Sequence, residues 1–160
     1  MATTNDETVC CPPFDPVPWD DKIIEWNEKL FAKYSVKCLW YIPLNFGKAM
    51  TLLMKATEKQ GAEVPDWLCL SDHTSKWNMD IYLAVTKELD GFQHVRLSGK
   101  YYSRVYNGNF NQTGEWGKEY QAHANEKSIK TGKLYMWYTT CPKCAKKYGN
   151  NYVVFLGNIL

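Results

Sequence analysis

One order of elements, strand then helix then two strands, can be read twice along this chain, and a sequence that repeats a supersecondary unit has few folds open to it. The first set spans residues 36–89 and the second residues 94–160. Two landmarks recur. Asn45-Phe46 stands just ahead of the first predicted helix and Asn109-Phe110 ahead of the second, and Tyr82 of NMDIYLAV lies over Tyr152 of NNYVVFLG when the two stretches are shifted by two residues. The second set carries a short insertion between these landmarks.

The first 35 residues stand outside the repeat as an N-terminal arm and helix. Four prolines in CCPPFDPVPWD exclude helix and favour an extended arm, with Phe14 and Trp19 as rings that could anchor it. Asp20 then reads as an N-cap, and Ile23, Trp26 and Leu30 recur at helical spacing, so a helix is predicted over residues 21–33. VKCLWYI, residues 36–42, is β-branched and aromatic and reads as a strand. Asn45 caps the next helix, whose apolar stripe is Phe46, Met50 and Leu53, and Gly61 stops it. A short strand is expected at residues 67–70, a polar loop through SDHTSKWN, and another strand at residues 80–86.

The second set opens with a strand over residues 94–106, with Ser98-Gly99 as a point where it can break. Trp116, Tyr120 and Ala124 return to helical spacing, with Asn111 or Thr113 as cap. Residues 134–140 and 152–156 close the set as two arms of a hairpin joined by a cysteine-bearing loop.

The fold class that follows is α+β: duplicated β-α-β-β units related by a pseudo-twofold, forming an antiparallel sheet with helices on one face. At 160 residues the chain can bury such a core as one domain without disulfides. The opposite face would form a trough between the repeats, the usual setting for a small-molecule site. The aromatic supply, 7 Trp, 11 Tyr and 6 Phe, exceeds what strands alone call for, so part of it is free to line that trough, although packing accounts for most buried rings. Strand alternation places Tyr82 with Asp80 and Ala84, Tyr152 with Val154 and Leu156, and Tyr135 with Trp137. A net charge of +2 and the absence of long basic runs argue against nucleic acid. No apolar run spans a bilayer and no leader pattern opens the chain, which gives a cytoplasmic protein with no membrane partner, monomeric or weakly dimeric.

LSGKYYSRVYNGNFNQTGEWGKEY, followed by KLYMWYTT and NYVVFLGNI, resembles the GyrI-like small-molecule-binding domain, the effector-binding domain of the SOUL-type fold. The matching landmarks are Gly99-Lys100-Tyr101, Gly108, Trp116, Tyr135 or Tyr138, and Tyr152 with the strand it opens. The resemblance covers about residues 36–160. It implies a duplicated domain that binds small cationic or aromatic ligands, and some members resemble hydrolases of cyclopropanoid compounds. Ligand contacts would fall on Trp40, Tyr82, Tyr106, Trp116, Tyr135, Trp137, Tyr138 and Tyr152. One departure matters: the family places a Glu where this chain has neutral Asn150-Asn151, and the nearest carboxylate in the duplicated position is Asp80.

Three function classes stand side by side. The leading one is a binding domain for an aromatic, amphiphilic or cationic compound. The second is a hydrolase of strained or ester-like compounds using Asp80 and trough tyrosines; the bland alternative for Asp80 is a solvated carboxylate at a strand end. The third is a zinc-stabilised interaction module, since Cys141-Pro-Lys-Cys144 has metal-binding spacing and Cys10 and Cys11 could complete a four-thiolate zinc site. Apart from such a zinc ion no cofactor is expected. Cys38 and Cys69 read as inert core thiols, and His73, His94 and His123 are scattered without metal spacing.

Overall fold

The structure, a computed structural model, describes residues 12–40, 42–140 and 142–160. They fall into two compact units, one formed by Glu25–Gly99 and the other by Lys100–Leu160 with the described part of Met1–Ile24. All strand pairs detailed within the units are antiparallel and a few helices accompany them, so the fold is α+β.

The unit Glu25–Gly99 holds most of β1 (Lys22–Leu39), the two-residue β2 (Ile42–Pro43), α1 (Phe46–Lys59), β3 (Cys69–Ser75), β4 (Asn78–Ala84) and the first part of β5 (Gln93–Asn107). β4 is the central strand. It pairs with β1, Ser35 opposite Asp80, and with β3, Asp72 opposite Asp80. Alternation sends Met79, Ile81 and Leu83 to one face, where they meet Ala32 and Val36 of β1 and Ala49 and Leu53 of α1 in an aliphatic core. Asn45 stands at the N-cap of α1 without a side-chain bond to it, and Gly61, with φ of 71°, follows the end of the helix in the left-handed conformation.

The other unit repeats that strand order. β7 (Tyr152–Ile159) lies between β5 and β6 (Thr131–Tyr138), with Ser103 opposite Leu156 and Leu156 opposite Tyr135. The helix α2 (Thr113–Glu126) buries Trp116, Tyr120 and Ala124 against Tyr102, Tyr106, Val153 and Phe155. Here the core is aromatic. Tyr106 stacks on Trp116 at 5.6 Å and 16°, and Phe155 meets Tyr106 edge-on at 5.1 Å. Tyr120 reaches across the sheet to donate its hydroxyl to the Tyr102 carbonyl at 2.7 Å. It passes so close over Gly157 that a Cβ there would collide with its oxygen.

Three local expectations change. The helix predicted over residues 21–33 is the first part of β1. Glu28 takes a φ of 50° in mid-strand, which interrupts alternation and leaves apolar residues at spacings that imitate a helix. Glu28 is tied within its unit instead, its N–H donating to Ser98 Oγ at 2.8 Å and its carbonyl accepting from Arg96 at 3.3 Å. The expected loop SDHTSKWN is mostly strand, as β3 and the turn into β4. The cysteine-bearing connector holds a short helix, α3 (Pro142–Tyr148), opened by proline and followed by Gly149 with φ of 76°.

Candidate active site

β4 carries core residues on one face, so Asp80 and Tyr82 belong to the other, together with Lys33 and Ser35 of β1 and Asp72 of β3. Directly opposed residues on paired strands hold their Cβ atoms about 5 Å apart, so Asp72 and Asp80 stand side by side on this face. Both are buried, at 7% and 8% exposure, which is unusual for acids. Ser35 Oγ donates to Asp80 Oδ1 at 2.7 Å and Asn78 Nδ2 donates to the same oxygen at 3.2 Å. Lys33 Nζ stands 3.8 Å from Asp80 Oδ2 and 5.9 Å from the centre of the Tyr82 ring. The Asp80 carboxylate is therefore held from three directions. Lys33 and Ser35 also line a cleft of about 230 Å³ with Phe92 and Gln93. A larger cleft of about 490 Å³ lies between the turn after β5 and the α3 region ahead of β7; among the described residues Lys146 is the one charged side chain that lines it.

Asp80 was legible as a candidate acid; Asp72, Lys33 and Ser35 were not. Asp72 falls in SDHTS, which reads as a loop because it has no apolar alternation, and the signal that marks it as strand is the short turn leading straight into β4. His73 follows Asp72 but alternation puts it on the α1 side, and burial holds its imidazole below the usual range against the pull of Asp72.

In the other unit the face away from α2 carries Tyr101, Ser103, Tyr135, Trp137 and Tyr152. Residues 12–20 lie on it. Phe14 meets Trp137 at 5.2 Å and Tyr152 at 5.6 Å, and Trp19 meets Trp137 edge-on at 4.8 Å. The two anchor rings read from the sequence are thus in contact with the body of their unit.

The predicted ligand contacts divide. Tyr82 lies on the acid face of its unit, and Tyr135, Trp137 and Tyr152 share the face beneath the arm. Tyr106 and Trp116 are core residues under α2, and burial pushes the Tyr106 hydroxyl up to about 12. Tyr138 packs on that same side, against Phe110 at 5.3 Å. Trp40 is 62% exposed at the turn after β1, beside Trp77 at 6.0 Å, with Lys76 Nζ 4.2 Å from its ring centre.

Of the four thiols proposed for zinc, Cys10, Cys11 and Cys141 lie outside the described residues, and Cys144 is buried in α3. Among the described residues no three His, Cys, Asp or Glu side chains gather to hold a metal ion. Cys69 sits 3.7 Å from Met50 sulfur, and burial pushes its thiol up to about 12, as befits an inert core residue. Among the described residues no helix is long and apolar enough to cross a membrane.

The family described as bacterial hydrolase matches the chain over residues 1–159. No curated protein matches it. Among solved structures, that of SAV2435 bound to tetraphenylphosphonium is similar with a TM-score of 0.44 and 9% identity, over 87% of this chain and 93% of that one.

Proposed function

Because the chain belongs to the bacterial hydrolase family, we propose that it binds and hydrolyses a small molecule, with Asp80 as general base and Asp72 facing the same space. The observation that carries this reading is the pair of buried carboxylates set directly opposite on β3 and β4. Asp80 takes a proton from water as the water oxygen bonds to an electrophilic carbon of an ester-like or strained substrate. It then returns that proton to the departing oxygen, which leaves the carboxylate as it began. Ser35 and Asn78 fix the orientation of the carboxylate, and Lys33 supplies positive charge where an oxyanion would develop. The finer resemblance to GyrI-like domains belongs to this reading. We take the two units as copies of one β-α-β-β motif, which their common strand order supports, and Asp80 as the acid that replaces the neutral Asn150-Asn151 of the second copy.

A test is hydrolysis of p-nitrophenyl acetate and p-nitrophenyl butyrate by the purified chain. Asp80→Asn is expected to lower kcat/KM by about 10²- to 10⁴-fold. Equal turnover by Asp80→Asn and the wild type removes Asp80 from the mechanism.

Lys33 favours a second reading. Its ammonium stands 3.8 Å from the Asp80 carboxylate and 5.9 Å from the Tyr82 ring centre, so a cationic ligand that displaces it would meet a carboxylate and an aromatic face and be held without turnover. Calorimetric titration with benzyltrimethylammonium separates the two. Binding that is lost in Asp80→Asn, in a protein that hydrolyses neither ester, selects the binding role.

A further inference from the structure

The arm over Trp137 is attached in an unusual way. Residues 12–20 join no strand, and prolines at positions 12, 13, 16 and 18 have no N–H to offer a sheet. Three of the arm's five other N–H groups bond within the arm: Val17 donates to Asp15 Oδ1 at 3.1 Å, and Trp19 and Asp20 donate to the Pro16 carbonyl at 3.0 and 2.9 Å. Its fixed point is the C-terminal end. There Asp20 accepts from the Val105 N–H at 3.1 Å, and Asp21 accepts from Tyr102 at 2.8 Å and lies 3.6 Å from Arg104 and 3.5 Å from Lys127. Ahead of that anchor, Phe14 and Trp19 rest on the sheet by ring contacts. Lifting the arm from its anchor breaks no strand pairing.

What lies on that face is not purely apolar. Trp137 Nε1, in a residue 2% exposed, and Ser103 Oγ, in a residue fully buried, have no hydrogen-bond partner among the described residues. A buried donor left unmade costs about 1–3 kcal/mol. The register puts both residues on the face opposite α2, on the strands at either side of β7 and two residues apart along it, since Ser103 opposes Leu156 and Trp137 opposes Val154. The phenyl of Phe14 and the indole of Trp19 cover this surface but bring no lone-pair acceptor to the donors.

From this geometry we propose that the Trp137 face is a binding site for a planar aromatic compound bearing a hydrogen-bond acceptor, and that residues 12–20 are its displaceable cover, with Phe14 and Trp19 standing in for the ligand. Arm and ligand compete for one surface. The site lies in a different unit from Asp80 and stands whether or not the acid pair hydrolyses anything.

Coumarin, planar and carrying a lactone carbonyl, is a suitable probe for the full chain. Its affinity for Phe14→Ala/Trp19→Ala is expected to exceed its affinity for the wild type by about tenfold, because the competing ring contacts are worth roughly 1.4 kcal/mol together. Trp137→Phe, placed in that double variant, is expected to weaken coumarin by several-fold through loss of the indole donor. In the unaltered chain, saturating coumarin should move the indole N–H resonances of both Trp19 and Trp137, a readout that stands even if the double variant fails to fold. Equal affinity for wild type and double variant overturns the cover. Indifference to Trp137→Phe overturns the site, and a wild-type spectrum in which Trp19 does not respond overturns the competition.

Discussion

In Glu25–Gly99, α1 lays Ala49 and Leu53 on Val36, Ile81 and Leu83; in Lys100–Leu160, α2 lays Trp116 and Tyr120 on Tyr102, Tyr106 and Phe155. Each unit nonetheless sets one strand between two earlier ones, β4 between β1 and β3 and β7 between β5 and β6, with its helix falling in the chain between those two earlier strands. The difference is sharper on the faces turned from the helices. One carries two acids, a lysine and a serine around Asp80, and the other carries Trp137 and Tyr152 under two further rings. A single frame therefore carries a charged surface suited to acid–base work and an aromatic surface suited to flat ligands. Side-chain choice at alternate positions is enough to do this, because successive residues of a strand point to opposite sides.

The comparison breaks most readily at the two cores. Phe155→Ala is expected to cost about 3–5 kcal/mol and Leu53→Ala about 2–5 kcal/mol, with the phenylalanine at the larger value because its ring touches Tyr106, Trp116 and Tyr120 at once. Urea unfolding of both variants measures this, and a greater loss in Leu53→Ala would mean that the aliphatic unit dominates stability.

Next in size are the two Asn-Phe landmarks. Asn109 accepts from the Asn111 N–H at 3.0 Å while Gln112 Oε1 accepts from the Asn109 N–H at 2.9 Å, whereas Asn45 makes no such side-chain bond. Asn109→Ala should cost about 1 kcal/mol and Asn45→Ala only a few tenths, again by urea unfolding. Equal costs would show that the same dipeptide does the same work in both places.

The smallest effect is expected at the arm's anchor, which has no counterpart in the aliphatic unit. The Tyr102 hydroxyl, with Lys127 and Arg104, holds the Asp21 carboxyl below its ordinary 3.8, against some opposition from burial. Its contribution is fully present above 3.8 and is lost as pH falls through the lower value of the folded protein. Asp21 has a φ of 57°, which asparagine also tolerates, so Asp21→Asn changes charge without straining the chain. Melting temperatures of wild type and Asp21→Asn should differ slightly near pH 6 and converge in acid. A difference that grows on acidification would contradict the anchor.

Much of this frame was legible because its signals are local. Asn45 and Gly61 bracket α1, and the apolar runs at residues 134–140 and 152–156 mark β6 and β7. Elsewhere the usual signals were inverted. A left-handed Glu28 made β1 look helical, and Asp72 and His73 made β3 look like a loop because a strand that carries polar groups inside loses its alternation. That second failure hid half of the acid pair. The split of the tyrosines and tryptophans between faces was legible only where a strand was correctly phased, so Tyr82, Tyr135, Trp137 and Tyr152 fell on faces turned from the helices while Tyr106 and Trp116 went under a helix. The α3 signature, proline just inside and glycine just past the end, was present in the sequence and masked by the cysteine spacing.

The crossing of Tyr120 over Gly157 ties two distant positions of the chain into one unit of inheritance. Any side chain at 157 needs the room that the phenol oxygen fills, so glycine there is expected to change in relatives only where position 120 has first given up its hydroxyl.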